Sequence, residues 1–107
     1  MSGDQPDPAE AGSTPDVDAI ARAVTDVEGV ADLHGGVLGE VATYLPGRRV
    51  PGIRLRSPGC EIHLVLEFGA GVATTTDLVR AAVRPLVEGP VDVTVEDVAP
   101  ARSTGAR

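Results

Sequence analysis

Ile53-Arg54-Leu55-Arg56-Ser57-Pro58-Gly59-Cys60-Glu61-Ile62-His63-Leu64-Val65-Leu66-Glu67-Phe68 is the stretch whose reading decides the fold. Apolar and polar residues alternate with period two on both sides of Ser57-Pro58-Gly59-Cys60, whose Pro-Gly centre suits a type II turn. A hairpin is expected, with Ile53 and Leu55 on one face of the first strand and Arg54 and Arg56 on the other. On the returning strand Ile62, Leu64, Leu66 and Phe68 share one face, and Glu61, His63, Val65 and Glu67 share the opposite one. That pattern belongs to a sheet with one face buried and one largely wet.

Downstream the period changes. Leu78, Val79, Ala82, Val83 and Leu86 form a helical stripe after the caps offered by Thr74, Thr75 and Thr76, which predicts a helix over about 75–87. Pro85 should kink or end its last turn before Gly89 and Pro90 close it. Val91, Val93 and Val95 then alternate with Asp92, Thr94 and Glu96, a final strand.

Upstream, Val17, Ile20, Ala21, Val24 and Val27 recur at helical spacing, which predicts a helix over about 15–28. Thr14 is its expected cap, Pro15 its first residue, and Gly29 its stop. Val30–Leu33 is a short apolar stretch, and 40–45 reads as a short strand or a turn of helix. Between them the glycines of His34-Gly35-Gly36-Val37-Leu38-Gly39 imply a structural turn, with Gly35, Gly36 and Gly39 supplying positive φ or close backbone approach. The expected fold is α+β: a two-layer sandwich in which two helices cover one face of a small antiparallel or mixed sheet. The folded domain is expected over 15–98, between a disordered arm, 1–14, and a flexible tail, 99–107.

Composition narrows the function classes. Only 2% of residues are aromatic, so Val, Leu, Ile and Ala must build the core, and a chain of 107 residues should gain from self-association. All nine basic residues are Arg, and without Lys there is no P-loop. A net charge of −7 opposes general nucleic-acid binding. The single Cys60 allows no intrachain disulfide, which fits a reducing cytoplasm. No basic start followed by an apolar run predicts a secretory signal, and no 18 consecutive apolar residues predict a membrane span.

Val27-Glu28-Gly29-Val30-Ala31 followed by Leu33-His34-Gly35-Gly36 resembles the V-x-GV-x-x-L-x-GG signature of the bacterial alkaline shock, or envelope stress response, family. Gly52-Ile53-Arg54-Leu55, the strand 61–67, the helix 78–87 and the closing segment 91–98 are similar, in the same order, to later blocks of that family. The segment 44–52, Tyr44-Leu45-Pro46-Gly47-Arg48-Arg49-Val50-Pro51-Gly52, is similar to the actinobacterial branch. The likeness covers about residues 17–98. The family's usual opening strand, G-x-I-x-I, has no counterpart in residues 1–14. The resemblance implies a cytoplasmic protein held at the inner face of the cell membrane through a small membrane-anchoring partner. It carries over no catalytic residue and no cofactor, and the chain is expected to be no enzyme.

Among side chains that could carry chemistry, Cys60, His63 and His34 are too few for a zinc site, and Cys60 and His63, three apart on a strand, face opposite ways. Cys60 reads as a turn cysteine at the hairpin tip. The glycine run lacks the G-x-S-x-G elbow that an esterase loop needs. Arg48, Arg49, Arg54 and Arg56 are the informative cluster, because residues 41–60 hold these four Arg and no acid within an otherwise acidic domain. The patch is a candidate partner-binding surface, for another protein or another copy, with a solvated hairpin face as the plain reading. The alternative is a small nucleic-acid-binding module that uses the same arginines, disfavoured by the lack of interleaved aromatics for base stacking.

Overall fold

The computed structural model describes residues 15–100. The arm 1–14, the cap expected at Thr14 and most of the tail lie outside the described residues, and the last strand runs through Ala99.

The first helix, α1, spans Val17–Thr25. Its cap is Asp16, whose Oδ1 accepts the Ala19 N–H at 3.1 Å. Thr25 ends it, three residues earlier than the pattern implies. Gly29, with φ +99°, opens the next strand instead of closing the helix. A Cβ there would also stand 3.0 Å from the Thr75 hydroxyl, so glycine is needed twice over.

Strands follow as β1 (Val30–Leu33), β2 (Ala42–Leu45), β3 (Arg48–Pro51), β4 (Ile53–Arg56) and β5 (Gly59–Glu67). Of the two options for 40–45, the strand holds: β2 and β3 form a second hairpin about Pro46-Gly47. The β4–β5 hairpin is present as expected, but its turn sits one residue earlier. Arg56 pairs with Gly59, so Ser57 and Pro58 form the loop, and the bond between them is cis. Cys60 is therefore no turn residue; it is buried in β5 beside Ile62, Leu64 and Leu66. Phe68 lies beyond the end of β5 and is 76% exposed, not part of the buried face.

The second helix, α2, spans Val72–Val83 and passes into a 3₁₀ turn at Arg84–Leu86, where Pro85 cannot sustain α-helical bonding. It starts earlier than Thr74–Thr76 suggest, with Gly71 as N-cap. Thr75 and Thr76 are buried within it, and the Thr76 hydroxyl donates to the Val72 carbonyl at 2.9 Å. Leu78, placed in the apolar stripe by the sequence, is half exposed.

The last strand, β6, spans Val91–Ala99 and runs parallel to β5. β5 is the central strand. β4 covers Gly59–Ile62 and β1 covers Leu64–Leu66, one after the other on one edge, and β6 takes the other edge along almost the whole length. His63 bridges the junction of β1 and β4: its carbonyl accepts from His34 N–H at 2.9 Å and its N–H donates to the Gly52 carbonyl at 2.8 Å. Val17, Ile20 and Val24 from α1 and Val79 and Val83 from α2 pack on Val30, Ile53, Cys60, Ile62, Leu64, Leu66 and Val91. The architecture is the α+β sandwich expected, with a mixed sheet and both helices on one face. Each fully buried Leu or Ile in that layer contributes about 1.5–3 kcal/mol, so an aliphatic core suffices without aromatics. No helix among the described residues is long and apolar enough to cross a membrane.

Candidate functional site

The four candidate arginines come from β3 and β4, and the structure divides them. Arg48 leans on α1, where its guanidinium grips Asp18 with bonds of 3.1 and 2.7 Å. Arg54 and Arg56 lie on the sheet face away from the helices and share Glu61, at 3.6 and 3.2 Å. Arg54 also donates to the Glu40 carbonyl at 3.2 Å. Arg49 has no carboxylate partner among the described residues. Three of the four charges are thus committed within the chain: Asp18 lies 30 residues from Arg48, whereas Glu61 sits just past the acid-free segment 41–60, on the returning strand of the same hairpin.

The ion pairs show in the carboxyl groups. A hydrogen bond from Arg48 holds Asp18 below its ordinary value, against slight burial and with help from the Arg48 and Arg22 charges. At Glu61 burial pushes upward, but bonds from His63 and Arg56 and the charges of Arg54 and Arg56 outweigh it, so the net direction is down.

His63 extends this network across β5. Its side chain is only 13% exposed. Nδ1 lies 2.5 Å from Glu96 Oε2 and Nε2 lies 3.4 Å from Glu61 Oε2, so both ring nitrogens face carboxylates. The sequence placed His63 and Glu61 on the wet face, but Glu96 joins them only because β6 runs parallel to β5, a pairing no local pattern announces.

Cys60 faces the other way, into the core. Burial first, then the Asp92 charge, pushes its thiol up, away from the reactive thiolate. His34 is occupied in its own turn, its Nδ1 accepting the Gly36 N–H at 2.9 Å. No group of three or more His, Cys, Asp or Glu among the described residues is disposed to hold a metal ion.

The glycine turn is structural, and it displays something. Gly36 and Gly39 take φ of +89° and +76°, while Gly35 packs on Pro51. Glu40 closes the loop by accepting the Leu38 N–H at 2.9 Å, and the Glu40 and Leu38 N–H groups hold its carboxyl below the ordinary range. Val37 and Leu38 are left outside, 86% and 88% exposed.

A second apolar surface lies where β5 and β6 end. Phe68 lines two adjoining depressions there, one with Val98, Ala99 and Pro100, the other with Thr74 and Leu78 of α2. Val98 and Leu78 are each half exposed beside it. The sequence missed this corner because Phe68 continues the alternation of β5; Gly69 directly after it, at φ +93°, is the signal that the strand has already stopped. No protein-family model, no curated protein and no solved structure matches this chain.

Proposed function

We propose that this chain is a non-enzymatic scaffold or adaptor, one that self-associates and docks on a membrane-anchored protein at the inner face of a cell membrane. The observation that carries the reading is Phe68, one of two aromatic residues in the chain, held 76% exposed between Val98 and Leu78. A large aromatic kept out of an aromatic-poor core, on a rim of aliphatic residues, has the composition of a protein-binding anchor. The resemblance of residues 17–98 to the envelope stress response family supports the membrane-anchored partner and the cytoplasmic placement. The nucleic-acid alternative is weakened, since Arg48, Arg54 and Arg56 already hold carboxylates.

Co-sedimentation tests the reading. The chain should pellet with membranes that keep their native proteins and stay in the supernatant with protein-free vesicles of the same lipids. Phe68→Ala should abolish pelleting without lowering the melting temperature. Binding to protein-free lipid, or pelleting that survives Phe68→Ala, would refute docking through this corner.

A further inference from the structure

β6 is nine residues long, and among the described residues only β5 pairs with it. The Cys60 N–H donates to the Pro90 carbonyl at 3.0 Å, which fixes the phase of the strand. Pro90, Asp92 and Thr94 turn their backbone groups toward β5, so Val91, Val93 and Val95 turn theirs outward. A bulge after Val95 ends that phase. The open edge is therefore the five-residue run Val91–Val95, with its valines on the helical face and the exposed Asp92 and Thr94 on the other.

Such an edge is a template for another strand, and its own side chains say which one. Let a second copy run antiparallel with its two-fold axis at Val93. Val91 then faces Val95, Val93 faces Val93, and Asp92 faces Thr94. No acid opposes an acid. Moving the axis to Asp92 sets that residue against itself, and moving it to Thr94 sets Asp92 against Glu96, both destabilising arrangements. Of the axes inside the run, 92 to 94, the charges select Val93, which also pairs all five residues of the open edge. Because α2 packs beside β6, the helical layer also runs on across the axis.

We propose that two copies of this chain pair β6 to β6, antiparallel about a two-fold axis at Val93, and merge their sheets into one; this rests on the reading of the chain as a self-associating scaffold. The interface is isologous, so it closes at two copies and leaves both Phe68 corners on one particle. Head-to-tail docking of a basic hairpin on the acidic β6 edge is the rival arrangement, and among the described residues Arg49 alone of the hairpin arginines has no carboxylate partner.

Salt separates the two. Two chains of net charge −7 joined through strand bonds and valines should associate more tightly as salt screens their repulsion, whereas a basic-to-acidic contact should weaken. Light scattering on the full chain, across concentration and salt, is expected to show a dimer favoured at high salt. Thr94→Arg, an exposed change that faces Asp92 twice over in the dimer, should tighten it roughly 2- to 30-fold, and Thr94→Asp should loosen it by a similar factor. Val93→Cys should yield a disulfide-linked dimer on mild oxidation, since paired strand positions lie within disulfide reach, while Asp92→Cys and the parent chain should not. A dimer that ignores both Thr94 changes, or that Val93→Cys cannot trap, would overturn the edge pairing and leave self-association standing by another surface. A monomer under every condition would overturn both, and docking through Phe68 would still be judged by sedimentation.

Discussion

At Gly59 the β4–β5 turn meets the start of β6 so closely that a Cβ would fall on the Pro90 carbonyl and within 2.7 Å of its nitrogen. Both neighbours are backbone, so nothing can swing aside. Gly59→Ala should cost roughly 1–3 kcal/mol or more, as overpacking does, read as a lower denaturation midpoint. Gly69→Ala meets no atom within 4 Å and bears only its φ of +93°, about 1–2 kcal/mol. Cys60, a buried thiol pushed up by its surroundings, should react with iodoacetamide only when the chain opens, so labelling in the native state should be slow and accelerate through the unfolding transition. Glu61 and Asp18 are both depressed in the folded chain, so the stability they contribute is complete above their ordinary values, from about pH 5 upward, and is lost as pH falls through their folded values. Removing a donor must raise the carboxyl it served: His63→Ala should shift the Glu61 titration upward in carbon-detected NMR, and Arg48→Ala should do the same for Asp18 alone.

Elements differ in how much of their making is local. The stripe of α1 at i, i+3 and i+7 was visible, but its cap was not: it is Asp16, two residues on from the Thr14 expected. Asp16→Ala should cost about 1 kcal/mol, against almost nothing for the exposed Asp26 just beyond the helix end. α2 was harder to place because threonine has two uses. Thr74, Thr75 and Thr76 look like caps, but Thr75 packs against Gly29 and Thr76 bonds back within the helix, while the real N-cap, Gly71, has no side chain to advertise itself. β2 and β3 are four residues each, too short for a clear period, and the hairpin they form is held to the rest through Val50 in the core and the Thr43 hydroxyl on the Ile53 carbonyl at 2.6 Å.

For the molecule as a whole, the hairpin Ile53–Glu67, the two-layer arrangement and the sheet's wet face were legible, because alternation along a strand reports burial directly. The partners of Arg48 and His63 were not, since Arg48 reaches across 30 residues to Asp18 and the parallel β5–β6 pairing sets His63 against Glu96 33 residues away. The same long-range pairing decides how the chain should open. β5 has neighbours on both edges and four side chains wholly enclosed, so its amides should exchange last, near the global opening energy. The β2–β3 hairpin, which gives the core only Val50 and Leu45 and is otherwise joined to the rest through an exposed ion pair and one hydroxyl, should exchange first among the strands. β6 lies between these limits, and its amides should split by parity. Asp92 and Thr94 donate toward β5 and should be protected at any concentration; Val93 and Val95 point outward and should exchange freely in dilute chain, then slow as concentration and salt rise. Hydrogen exchange resolved by residue reads both sets in one experiment. Protection of Val93 and Val95 that does not change with concentration would mean that a segment of the same chain covers this edge, and that the second copy has no place there.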